Sequence, residues 1–236
     1  MKRVSQIQVL GDSILKGIQV EPATGRYVTR NDIGISGLER DFGLTVKNGS
    51  HFGATVIKGQ RLLERLLQRE TPCDVVVMDF GGNDCDFRWD QVAADPEGDH
   101  RPNVPLPEFL QRYREMIARL RLHGIVPVLT TLPPLEPDRF FNWWCRGLDQ
   151  GAVRRWLGSL ANIYAHQENY SRAVEQLARE TQTPLVDIRG AFLANGHLEQ
   201  LLCEDGTHPN SAGQSLIGEA FRAFARDNLE PALQTA

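Results

Sequence analysis

Five short apolar runs recur along the chain, and stretches of helical spacing separate them. The runs are QIQVL (6–10), LTVKN (44–48), DVVVMDF (74–80), IVPVLTT (125–131) and PLVDI (184–188). Several are β-branched and nearly continuous. A strand with water on one face would alternate apolar and polar, so these runs predict strands buried on both faces. Between them, Phe109, Leu110, Tyr113, Met116, Ile117 and Leu120 fall on one helical stripe. Leu62, Leu63, Leu66 and Leu67 form a second stripe, and Leu216, Ile217, Ala220, Phe221 and Phe224 a third. Strand alternating with helix predicts a parallel sheet with helices on both faces. At 236 residues, the chain fits a single α/β domain over 1–236 better than two small ones.

Two segments break the rhythm. Residues 86–107 are rich in Pro, Asp and Trp and read as a long loop after the third strand. Residues 133–170 are unusually aromatic and read as an insertion: a lid, a pocket wall, a cover for the core or an interface.

Composition excludes several classes. A net charge of −4 leaves no broad basic field for nucleic acid. The longest purely apolar run is about four residues, VVVM, far short of a membrane span. The opening MKRVSQIQVLGDS is too interrupted for a signal peptide. Cys73, Cys85, Cys145 and Cys203 are scattered, without a C-x-x-C pair. The expectation is a reduced, cytoplasmic protein with no metal site. The oligomeric state is left open.

In an open parallel sheet, ligands bind beyond the carboxyl ends of the strands. Four polar, glycine-bearing motifs sit at such ends: GDS (11–13), NGSHFGAT (48–55), GGND (81–84) and DGTHP (205–209). Asp12 or Ser13 alone could be a helix cap, since the sequence after GDS is helix-compatible. DGTHP changes the weighing. Asp205 and His208 are three apart across a Gly- and Pro-favoured turn, which can bring the carboxylate to the imidazole Nδ1–H and leave Nε2 free as a base. A serine hydroxyl needs such a base to become a nucleophile, and Ser13 is the strand-end serine available to it. Acyl transfer also needs donors for the developing oxyanion. The candidates are the Ser13 N–H at a helix start, the Gly53 N–H and the Asn83 side-chain amide, with Gly49 a rival to Gly53. His51, Asp84, Asp86 and Cys85 are read as loop or packing residues, and Asp12 as a brace for the turn.

Ser13, Gly53, Asn83 and His208 together resemble the four marker residues of the SGNH hydrolases, the GDSL lipase/esterase family. GDSI is similar to its first block, with Ile14 in place of the usual leucine; NGSHFGAT, GGND and DGTHP resemble later blocks in the family's order. The resemblance implies a flavodoxin-like three-layer α/β/α sandwich with a five-stranded parallel sheet. It also implies cofactor-free hydrolysis of esters or thioesters through an acyl-serine. Ser13 would be nucleophile, His208 base and Asp205 its orienting partner, with Ser13, Gly53 and Asn83 as oxyanion donors.

Other readings are weaker. A conventional α/β-hydrolase needs a G-x-S-x-G elbow, which is missing from the sequence, as are the dinucleotide and phosphate-loop motifs. A non-catalytic small-ligand-binding domain on the same sheet is the reading from another class. The substrate expected is a short-acyl ester of a carbohydrate or small molecule, with lysophospholipid or acyl-thioester as the alternative. Trp89 in the long loop, and Trp143 and Trp144 in FFNWW, are the candidate substrate-binding residues, because aromatic rings supply large contact area.

Overall fold

The computed structural model describes residues 4–30, 34–68 and 73–229. Strand β1 (Gln6–Gly11) leads into a hairpin, β2 (Ile18–Glu21) and β3 (Arg26–Thr29); then come helix α1 (Gly37–Phe42), strand β4 (Thr45–Asn48) and helix α2 (Val56–Leu67). Next are β5 (Val75–Asp79), the short helices α3 (Gly82–Cys85) and α4 (Trp89–Ala94), and the long α5 (Leu106–Leu122). Strand β6 (Val126–Thr130) precedes α6 (Pro137–Trp144), α7 (Gln150–Leu157) and α8 (Ala161–Thr181). The chain closes with β7 (Leu185–Val186), α9 (Ile188–Asn195), α10 (Leu198–Leu201) and α11 (Ser211–Leu229).

The five main strands pair in the order β4-β1-β5-β6-β7, all parallel. They are the five expected runs, and helices cover both faces, as in an α/β three-layer sandwich. Period-two alternation divides the core. Val76 and Met78 pack with Leu63, Phe109, Tyr113, Met116, Leu120 and Val174, the inner faces of α2, α5 and α8. Val75 and Val77 point the other way, to Leu38, Ile188, Phe192, Ile217 and Phe221 of α1, α9 and α11. Chain order reverses at β1, which lies between β4 and β5, and the crevice beyond the strand ends at such a point is where open α/β sheets hold ligands.

Two local expectations need correction, and the aromatic insertion takes a definite form. The stretch after GDS is not helical. It forms tight turns, with Gly17 N–H donating to Ile14 O at 3.1 Å and Ile18 N–H to Ser13 O at 3.0 Å, and then enters the antiparallel hairpin. Residues 86–107 are not all loop, since they contain α4. Residues 133–170 fold as α6, α7 and the first half of α8. Their starts are written locally. Glu136 accepts from the Arg139 N–H at 2.6 Å, Asp149 accepts from the Ala152 N–H at 2.9 Å, and Pro137 occupies the first helical turn. These helices bury Phe141, Val153, Leu157 and Ile163 with Trp89 and Val92 in a third apolar cluster beside the sheet.

Candidate active site

Ser13, Asp205 and His208 meet beyond the end of β1. Ser13 Oγ lies 2.9 Å from His208 Nε2, and His208 Nδ1 lies 2.5 Å from Asp205 Oδ2. Asp205 is itself fixed by its turn, because its Oδ1 accepts from the Thr207 and His208 N–H groups at 3.1 and 3.0 Å. Gly206 makes that turn possible. Its φ is +71°, and a Cβ there would lie 2.5 Å from the Phe140 nitrogen. The three residues are buried, at 5%, 0% and 3% exposure. Burial pushes the Asp205 carboxyl upward, but hydrogen bonding and charge from His208 outweigh it and hold the group below its ordinary range.

The candidate oxyanion donors surround the same spot. Gly49 spends its N–H on Val9 O at 2.9 Å, continuing the pairing beyond β1. Among the described residues neither the Gly53 nor the Ser13 N–H has a protein partner. Gly53 adopts φ +68° in open space, so glycine is needed there for the backbone turn and not for room. Asn83 Nδ2 donates to Asp12 Oδ2 at 3.0 Å and to Ala54 O at 3.2 Å. Asp12 also accepts from the Ile14 N–H at 2.8 Å, so one carboxylate braces both the serine turn and the asparagine. Behind it sit two more buried acids. Burial raises Asp79 to about 6 and Asp84 to about 7, and burial followed by the charge of Asp79 raises Asp12 well above the usual carboxylate range.

Two rings that the sequence reading missed flank His208. Tyr27, on β3, meets the imidazole edge-on with centroids 5.2 Å apart, and Phe52 stacks on it at 5.9 Å. The available signal was two β-branched tetrapeptides, IQVE and RYVT, around PATG, a hairpin pattern with a glycine-bearing loop.

A cavity of about 190 Å3 opens between Gly82 and Thr207, the chain neighbours of Asn83 and His208. Trp89 lines it, as do Phe87, Phe140 and Trp156; Trp143 and Trp144 do not. Trp143 instead donates from Nε1 to the Tyr27 hydroxyl, and the Trp144 ring lies 6.5 Å from the Tyr27 ring. Cys85 is buried, its Sγ 3.3 Å from Gly82 O, and burial raises its thiol. His51 Nδ1 is bonded to Gly49 O in its own loop. Among the described residues no cluster of three His, Cys, Asp or Glu is arranged to hold a metal ion. Nor is any of their helices long and apolar enough to cross a membrane.

An isoamyl acetate-hydrolyzing esterase from Saccharomyces cerevisiae is 25% identical over 158 residues, covering 66% of this chain and 58% of that protein. The chain thus spans a little over half the length of that curated relative. Among solved structures, a lipase/acylhydrolase from Enterococcus faecalis superposes with a TM-score of 0.68 at 18% identity, over 97% of this chain and 98% of that one. A mutant of an acetyl-xylooligosaccharide esterase from Geobacillus stearothermophilus superposes at 0.63 with 23% identity, over 94% and 95%. At such identities the structural likeness speaks for the fold. The sequence model of the GDSL-like lipase/acylhydrolase family matches residues 9–216, from the middle of β1 into α11, and the chain belongs to that family.

Proposed function

We propose that the protein is a serine esterase that hydrolyses short-acyl esters of small molecules through an acyl-serine intermediate. The observation that carries this reading is the continuous chain from Ser13 Oγ through His208 to Asp205. In the first half-reaction His208 Nε2 takes the Ser13 proton as Oγ attacks the ester carbonyl. The carbonyl oxygen becomes an oxyanion facing the Ser13 and Gly53 N–H groups. Asn83 joins them by exchanging its longer bond, to Ala54 O, for the oxyanion, while Asp12 keeps the amide oriented. Collapse expels the alcohol, which leaves with the proton held on His208. Water then enters and attacks the acyl carbon as it gives a proton to His208; the second tetrahedral intermediate breaks its bond to Ser13 Oγ, which takes that proton back from His208 as the carboxylic acid leaves. Each oxyanion donor contributes about 3–4 kcal/mol to the barrier reduction.

The short-acyl preference rests on the likeness to an isoamyl acetate-hydrolyzing esterase and to an acetyl-xylooligosaccharide esterase. Trp89 is assigned to the substrate wall. Trp143 and Trp144 are assigned to the rim, through Tyr27. We take the chain as one catalytic domain, acting without a cofactor. The test is a series of p-nitrophenyl esters of rising chain length, run beside labelling by an organophosphonate serine probe. Stoichiometric labelling at Ser13 and fastest turnover of acetate support the reading. An unlabelled protein that turns over no ester would instead be a binding domain.

A further inference from the structure

The cavity beside Asn83 and His208 is more specific than a greasy slot. Its walls are aromatic and arranged edge to face. Phe87 and Trp156 meet at 4.9 Å and 73°, and Trp89 and Phe140 at 6.0 Å and 70°. An apolar cavity of about 150 Å3 takes a benzene molecule, so about 190 Å3 takes one six-membered ring with a short substituent. The polar groups in the lining are largely engaged. Gln167 Nε2 donates to Pro133 O, and its Oε1 accepts from Arg189. Asp86 Oδ1 accepts from Trp89 Nε1 at 2.8 Å and from the Phe87 N–H at 2.9 Å. His166, on α8, differs. Its ring lies 4.9 Å from the Phe87 ring, and its buried Nε2 has no protein partner among the described residues.

We propose that this cavity is a substrate subsite for one neutral, hydroxylated ring, a phenol in its simplest form, with His166 Nε2 hydrogen-bonded to the ring hydroxyl. As part of a substrate site this rests on the ester-hydrolase reading above. A hydroxyl suits the imidazole in either tautomer, because it both donates and accepts. Burial, only partly opposed by the Cys85 backbone beside the ring, holds His166 below the ordinary histidine range, so the neutral ring is the form the ligand meets. A sugar ring fits poorly, since several hydroxyls would meet walls that are mostly aromatic and aliphatic. An anionic substituent would face the Asp86 carboxyl at the same wall.

The test begins with binding, which needs no turnover. Calorimetric titration of the protein with p-cresol and with toluene should show p-cresol bound roughly five- to tenfold more tightly, the value of one neutral hydrogen bond. His166→Phe, checked for an unchanged melting curve, should bring the two ligands level. His166→Gln, which keeps a polar atom there, should preserve part of the difference. Turnover then locates the ring within the ester. The ratio of kcat/KM for 4-hydroxyphenethyl over phenethyl acetate reads a ring on the alcohol, and that for methyl 4-hydroxyphenylacetate over methyl phenylacetate reads a ring on the acid. One ratio should exceed unity in the parent and fall to unity in His166→Phe. Equal binding of p-cresol and toluene by the parent overturns the subsite, as does a preference that survives in folded His166→Phe. A p-cresol preference with no ester hydrolysed leaves the subsite standing and removes the hydrolase reading.

Discussion

Trp143 Nε1 donates a 3.0 Å hydrogen bond to the Tyr27 hydroxyl and so ties α6 to the β2–β3 hairpin directly above His208. Burial, then the nearby Asp205 charge, raises the Tyr27 phenol above its ordinary range, so the hydroxyl stays protonated. Tyr27→Phe removes the acceptor and leaves a half-buried indole N–H unpaired. The expected cost is about 1 kcal/mol, or roughly 2–4 °C in Tm for a chain of this size. A double-mutant cycle with Trp143→Phe should return a coupling of similar size. Additive single-mutant effects would mean that the contact contributes nothing.

Ser13→Ala should lower ester hydrolysis by several orders of magnitude, since the remaining site retains binding and oxyanion donors but no nucleophile. Far-ultraviolet circular dichroism should be unchanged. A purified Ser13→Ala protein that keeps most of its activity would remove Ser13 from the chemistry.

Asn83→Ala should reduce kcat by roughly 10²–10³, with a smaller effect on KM, because its amide serves charge that exists mainly in the transition state. The same substitution strips Asp12 of one hydrogen bond. The informative measurement is therefore kcat and KM separately, at a temperature well below the melting transition. A raised KM at constant kcat would make Asn83 a ground-state contact.

Stability should fall as pH rises from about 4 to about 7. Burial raises Asp84 from 3.8 to about 7 in the folded protein, so in that interval the folded chain holds a proton that the unfolded chain has released. The contribution is complete below the unfolded value and lost as pH climbs through the folded one, at a slope of at most about 1.4 kcal/mol per pH unit. Asp84→Asn keeps an acceptor for the Val56 N–H, now 2.9 Å from Oδ1, and removes the ionisation. Urea midpoints across pH should therefore slope less in the variant. Asp79 and Asp86, both raised by burial to about 6, and Asp12, also raised by burial, retain the rest. Identical slopes in the two proteins would count against this account.

No step of the proposed reaction uses a metal, so EDTA should leave kcat/KM unchanged. A rate lost on chelation and restored by a divalent ion would require a different mechanism.

The sheet was legible because strands buried on both faces write themselves as apolar runs, and Val75 to Met78 could hardly be read otherwise. The meeting of Ser13 with His208 was legible for a second reason: the motifs sit at strand ends, and parallel strands place those ends on one edge. What stayed hidden depended on side-chain direction. FFNWW announced aromatic surface, but a helix turns successive residues to different sides, and Phe140, not Trp143 or Trp144, reaches the cavity. The hairpin was obscured because GDS before an apolar stretch reads as strand-to-helix, although the turn bonds at Gly17 and Ile18 end any helix there. Tyr27 and His166 carry no motif, and packing alone places them.

Ser13 and His208 stand 195 residues apart in the chain. The turn that carries the serine is also fastened from the far end, by Gln214 Nε2 on Ile14 O, across 200 residues. Contacts of such sequence separation carry the largest loop-closure cost and form with the completed topology, not before it. A chain emerging from the ribosome therefore exposes Ser13 well before His208 can stand beside it, 195 residues later. During refolding, return of hydrolysis marks closure of the whole sheet-and-helix assembly, whereas helical signal reports only its local pieces.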